Sequence, residues 1–213
     1  MEKQTTLVTR GTFLEAFKEV WTERMEEDQA GLLAAYAKRP AWTNYMLGRR
    51  REDGDGSFLK AVMEKLERSL KYKREWYTVD SLFVSGETLH LPSGHDHYFS
   101  SRLDVLVEHE HGGSIEEEMW KLIFWRAPLK VLIAYDYWES KKEGKEKKRR
   151  WLADKMERLQ AMLASANRAF PENGNTEYLF LVANREKKGG DPRWRWNCAH
   201  GPDWQLTELK ALC

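Results

Sequence analysis

Cysteine is almost absent: only Cys198 and Cys213 occur among 213 residues. Two thiols are too few and too badly placed for a disulfide framework or a cysteine-based zinc site, and they suit a reducing compartment. No stretch approaches the roughly eighteen consecutive apolar residues that a membrane-spanning helix needs. The opening MEKQTTLVTR lacks the apolar core of a secretion signal, so a cytoplasmic protein without membrane partners is expected. An excess of either charge is missing too, with 35 Lys and Arg against 34 Asp and Glu. No global field therefore announces a nucleic-acid or membrane partner, which must be sought in local patches. Internal repeats and low-complexity tracts are also lacking. The length suits a single domain over residues 1–213, with 1–54 as a helical extension and 55–213 as the core.

What the chain does have is a change of period. Apolar residues at helical spacing, among them Phe13, Phe17, Val20, Trp21, Leu32 and Leu33, predict a helix over about 13–37 capped by Thr12. Its acidic middle, ERMEEDQ, weakens a continuous face, and Pro40 closes the region. Arg49 to Gly56 reads as a turn, and Ser57 caps a second helix ending near Lys71. The buried stripe of that helix is Leu59, Val62, Met63, Leu66 and Leu70, with Glu67 at its edge. From Trp76 the period falls to two. WYTVDSLFV predicts a strand to Val84, a loop ETLHLPSGHDH follows, and a second strand over Tyr98 to Glu110 is its expected antiparallel neighbour. Ser114 with Glu117 forms a capping-box pattern before the helix IEEEMWKLIFW, which stops ahead of Pro128. The apolar run Leu129 to Trp138 reads as a strand buried on both faces, and its link to the preceding strand through a helix makes a crossover unit. A helix over about Trp151 to Ala169, the strand EYLFLVANR and a returning hairpin through WRWNCA complete the order. The expected fold class is α/β, a mixed central sheet flanked by helices.

The chemistry concentrates in LDVLVEHEH, Leu103 to His111. Alternation sets Asp104, Leu106, Glu108 and Glu110 on one face of this strand and Val105, Val107 and His109 on the other. Glu108 and Glu110 then lie roughly 6–7 Å apart, and an antiparallel register could bring Asp80 beside them. Carboxylates converging in a core strand demand a neutralising proton or cation, and hard oxygen donors suit Mg²⁺ or Mn²⁺.

A strand with Asp80, a neighbouring strand with Glu108-x-Glu110, a following helix and then an apolar strand resemble the core of the PD-(D/E)XK nuclease superfamily, the restriction-endonuclease-like fold. The likeness covers about Ser57 to Trp138. It implies a magnesium-dependent endonuclease hydrolysing phosphodiester bonds, most simply of DNA, with Asp80 and Glu108 as metal ligands together with the backbone carbonyl of His109. Glu110 stands at the third motif position, where lysine is commonest, and Lys121 on the following helix is the expected substitute, as in branches where the lysine has moved to such a helix. Glu67 matches an acidic residue that some members carry before the sheet. Asp104 competes with Asp80 for the aspartate role, but a regular strand puts it roughly 13 Å from Glu108, which favours Asp80. A homodimer could cut two strands. The alternative is a non-catalytic member of this fold that binds nucleic acid or protein.

Three other patterns have plainer readings. His90, His95, His97, His109 and His111 fall within 22 residues and could form a histidine–carboxylate metal site, or be loop histidines with His109 packed against a helix. The basic run Lys141 to Arg150 could contact phosphates or simply be a solvated loop and helix start. Trp194-Arg195-Trp196 could stack on unpaired bases, although hairpin aromatics packed on the sheet are commoner.

Overall fold

The computed structural model describes residues 7–49, 56–66, 69–76, 78–90, 96–111, 114–136, 144–169, 175–185, 191–200 and 210–212. The first helix, α1 (Arg10–Tyr36), starts earlier than its apolar spacing suggests because Thr9 is the cap. Thr9 Oγ1 accepts the Thr12 N–H at 3.3 Å and Thr12 Oγ1 accepts the Thr9 N–H at 3.1 Å, a reciprocal capping box. The acidic middle does more than weaken the face: Asp28 leaves helical geometry (φ −151°, ψ 65°) and kinks α1. Its Oδ1 accepts the Gly31 N–H at 2.9 Å, restarting the helix as an internal cap. A Cβ on Gly31 would collide with the Asp28 carboxylate, so a larger residue there would have to displace that cap. Pro40, expected only to close the region, sits in the first turn of a further helix, α2 (Arg39–Leu47), where its missing N–H costs nothing.

Ser57 caps α3 (Phe58–Leu66) as expected, accepting the Lys60 N–H at 3.2 Å. That helix ends before Lys71, because Lys71 opens a strand, β1 (Lys71–Trp76), absent from the pattern-based reading. β1 folds back on β2 (Val79–His90) in antiparallel register, with Tyr72 opposite Phe83, Arg74 opposite Ser81 and Trp76 opposite Val79. So tight a reversal needs positive φ, here taken by Glu75 (47°) and Thr78 (68°) rather than by glycine or asparagine. β2 also runs on through part of the expected loop to His90, and β3 (Asp96–His111) begins at Asp96.

Beyond β3 come α4 (Ile115–Phe124), β4 (Leu129–Asp136), α5 (Gly144–Ala169), β5 (Glu177–Arg185), β6 (Pro192–His200) and the short β7 (Lys210–Ala211). Ser114 is the N-cap of α4, yet its side chain makes no capping bond; its carbonyl accepts the N–H of Glu117 and Glu118 instead of the expected side-chain box. α5 starts at Gly144, so the basic run from Lys145 to Arg150 forms its first turns. The architecture is α/β, a mixed sheet flanked by helices. Its strands are hydrogen-bonded in the order β1 to β7.

The chain clusters into two compact units, Met1–Leu106 with Ala127–Leu129, and Val107–Arg126 with Lys130–Cys213. The first is built on an aromatic core: Phe17 meets Phe58 edge-on at 4.8 Å, Tyr36 meets Trp42 at 4.8 Å, and Phe13 stacks on Phe83 at 6.0 Å. The residues of α1 and α2 are thus integral to its packing. In the second, β4 is buried from Lys130 through Tyr135, and Leu159 and Leu163 of α5 with Leu122 of α4 are fully buried. Among the described residues no helix is long and apolar enough to cross a membrane.

Candidate functional site

From Asp104 to His109 every residue of β3 is buried, so neither face of this stretch is open to solvent. Asp104, Glu108 and His109 are 1, 0 and 3 % exposed, and carboxylates so deep in a protein require a partner of opposite charge.

In the second unit the partner comes from α4. Lys121 Nζ lies 3.1 Å from Glu108 Oε1 and also bridges to Glu118, one turn earlier on the same helix. The spacing of α4 explains the fork: residues three apart share a face, and the face that carries Met119 and Leu122 into the core brings Lys121 to its border. Partial burial pulls the lysine pKa down, but the hydrogen bond to Glu118 and the charge of Glu108 outweigh it, and the net direction is upward. Lys121 therefore stays an ammonium at neutral pH. Glu118 is a site residue that reasoning from sequence missed, since three successive glutamates in a first helical turn look alike.

The first unit answers its buried acid from within the strand. Arg102 Nε lies 2.8 Å from Asp104 Oδ1, two residues away on one face of β3. Asp80 is half-buried on β2. Tyr72, whose hydroxyl donates to the Leu47 carbonyl at 3.1 Å, is pushed up to about 12 chiefly by burial, with the Asp80 charge acting the same way.

Of the remaining predicted residues, Glu110 is half-buried and its Oε1 accepts the His111 N–H at 2.7 Å. His109 stacks on Tyr135 of β4 at 4.6 Å, and His111 meets the same ring edge-on at 5.8 Å. Glu67 and His95 lie outside the described residues, as do the side chains of His90 and His97 and those of the basic turns of α5. The two units divide the candidates: Asp80 and Asp104 fall in the first, Glu108, Glu110 and Lys121 in the second. Among the described residues no three His, Cys, Asp or Glu side chains are grouped as a metal ion would need. Trp194 is fully buried and Trp196 half-buried, which makes the first a core aromatic rather than a platform for bases.

A second lysine escaped notice because it interrupts an apolar run by one residue. Lys130 of β4 is 0 % exposed, and its Nζ donates to Tyr178 Oη at 3.2 Å and sits 5.0 Å from that ring. It also approaches the Ile123 carbonyl at 3.4 Å, in the last turn of α4, where the helix dipole favours a cation. Burial lowers it to about 8 from 10.5. Between about pH 8 and 10 the unfolded chain then holds a proton that the folded chain has released, so stability rises with pH in that window. Above about pH 10 the trend reverses, because burial raises Tyr45, Tyr72 and Tyr178 to about 12 and the unfolded tyrosines ionise first. Lys130→Met is expected to stabilise the protein at pH 7 by on the order of 1–3 kcal/mol and to remove the rise above pH 8. Thermal unfolding across pH 7–10 measures both, and an unchanged slope in the variant would refute the assignment.

Compared with protein-family models, with curated proteins and with solved structures, the chain matches none.

Proposed function

We propose that the protein is a metal-dependent nuclease of the restriction-endonuclease-like class, hydrolysing phosphodiester bonds of DNA. The observation that supports this reading is the acid–lysine pair at the end of β3. Glu108 stands at the motif's acidic position, and Lys121, from the helix that follows, reaches it at 3.1 Å, the role expected of a lysine displaced from the third motif position. The order β3, α4, β4 around that pair matches the resemblance. The basic first turns of α5 supply charge suited to a phosphate backbone, and a second copy of the chain would serve the second strand of a duplex. The proposed place of action is the cytoplasm.

Mg²⁺ or Mn²⁺ is the cation this reading implies. The carboxylate oxygens of Glu108, Glu110, Asp80 and Asp104 suit such an ion in kind. As arranged they do not fit it, for the described donors are not grouped in threes and the positive charge beside Glu108 is Lys121's own. A bound cation would supply an acidified water and neutralise charge on the phosphate. What the chain itself contributes is an ammonium, held beside a buried carboxylate, that can bind a phosphate oxygen.

A second reading is favoured by a specific observation: Asp104 and Glu108 both meet cations from within the chain, at 2.8 and 3.1 Å. A non-catalytic nucleic-acid-binding or protein-interaction module of the same fold needs no more than that. Incubation of mixed single- and double-stranded DNA with Mg²⁺ or Mn²⁺ separates the two. Cleavage by the native chain, reduced roughly a hundredfold or more in Glu108→Gln, supports the nuclease. Cleavage that persists in Glu108→Gln excludes this site, and retained binding without cleavage points to the module.

A further inference from the structure

α4, which lies wholly within the second unit, is apolar on two sides. One stripe, Ile115, Met119, Leu122 and Ile123, is buried in the core, as spacings of three and four dictate. On the side away from it stand Trp120 and Phe124, 58 and 55 % exposed, with rings meeting edge-on at 4.7 Å. Among the described residues the one other large apolar side chain so exposed is Leu7. One turn of helix separates the two rings, so they share a face and hold each other in place, which leaves little side-chain freedom to lose when something covers them. The ends of this face carry opposite charge. Glu117, one turn before Trp120, is exposed, whereas Glu116 is held by Lys155 of α5 at 2.6 Å and Glu118 by Lys121. Arg126, just past the end of the helix, is exposed as well.

We infer that this face of α4 is a contact between two copies of the chain, packed antiparallel about a twofold axis that passes between Trp120 and Phe124. A surface covers itself in this way only if whatever residue i meets on the partner also meets i in return. Turned end for end, the helices bring Trp120 against the partner's Phe124 and Glu117 towards the partner's Arg126. Both contacts occur twice, because Glu117 and Arg126 lie at nearly equal separations on either side of the axis. The opposed helix dipoles act in the same sense, each acidic first turn lying by the C-terminal end of the other helix. Charge selects a second copy over a nucleic acid, for Glu116, Glu117 and Glu118 crowd the end of the face where a phosphate backbone would have to pass. The contact is modest. Four half-exposed rings supply on the order of 500 Å², short of the roughly 1,000 Å² of a stable interface. The dimer therefore forms with a Kd on the order of 10–100 µM. It stands without the nuclease reading, although the second copy invoked there would meet the chain here.

Sedimentation equilibrium of the full chain from about 1 to 300 µM brackets that Kd. The native chain should pass from monomer to dimer and stop there, because a twofold contact closes on itself. Trp120→Lys should raise the Kd at least roughly tenfold, since it sets a charge at the centre of the contact. Glu117→Arg and Arg126→Glu should each weaken the dimer by roughly fivefold or more, as symmetry repeats every like-charge meeting. An equimolar mixture of these two variants should dimerise as the native chain does, for each copy then meets opposite charge at both ends. All three side chains are exposed, so the circular dichroism of the variants should match that of the native chain. A native chain that stays monomeric throughout, or a dimer indifferent to Trp120→Lys, overturns the inference. A mixture no tighter than the single variants overturns the antiparallel arrangement. A monomeric native chain whose binding to a thymidine oligonucleotide is lost in Trp120→Lys gives the face to nucleic acid instead. A dimer that cleaves no DNA keeps the contact and removes the nuclease reading, whereas cleavage by a chain monomeric at every concentration does the reverse.

Discussion

Lys121→Met is expected to lower stability by about 3–5 kcal/mol, far more than a surface charge would. The magnitude follows from what is left behind. Glu108 is wholly buried, and the variant deprives it of the ammonium at 3.1 Å and Glu118 of its bridge. The folded protein must then hold the ionised carboxylate without that charge or protonate it. Glu108→Gln in the same background removes that carboxylate charge and should return more than half of the lost stability. Urea unfolding of the native chain, both single variants and the double variant closes the cycle. A loss below about 1 kcal/mol for Lys121→Met would place this pair with ordinary exposed ion pairs and undo the buried-site assignment.

Phe58→Ala is the second large effect, again about 3–5 kcal/mol, and it concerns the first unit alone. Phe58 is 1 % exposed, with Phe17 at 4.8 Å, Trp21 at 6.1 Å and Tyr45 at 6.4 Å. A cavity among three rings cannot be filled by small shifts, because large planar side chains relax poorly around a void. Near-ultraviolet dichroism should weaken along with the unfolding midpoint, since tyrosine and tryptophan lose a fixed neighbour. Phe58→Leu should recover a good part of the loss, and Leu7→Ala, at a side chain 50 % exposed, should move the midpoint by less than about 0.5 kcal/mol. A Phe58→Ala midpoint as close to native as that of Leu7→Ala would show that the ring cluster is not what holds these helices together.

The periodicity of two through LDVLVEHEH placed β3, and the uninterrupted apolar run after Pro128 placed β4, because burial on one or both faces writes itself directly into spacing. α4 and β5 were legible for the same reason. β1 was not: its turn to β2 uses Glu75 and Thr78 at positive φ, a geometry usually announced by glycine or asparagine, and KREWYTVD carries neither. α2 stayed hidden because Pro40 both ends one helix and begins the next, and a proline alone does not say which.

At the candidate site the division is sharper. Sequence alone determined that a core strand carries Glu108 and Asp104, that Lys121 follows on a helix, and that buried acids must be neutralised, since alternation and the cost of burying charge are local matters. Which cation does so is a question of distance between side chains, which spacing alone does not give. Tertiary structure decided it for the described residues: Lys121 for Glu108, drawn in with Glu118, and Arg102 for Asp104. Lys130 makes the same point in reverse, for one lysine in an apolar run passes unremarked until the packing of Tyr178 and the end of α4 shows it enclosed. Spacing along a chain fixes which face a residue takes; only packing fixes what it meets there.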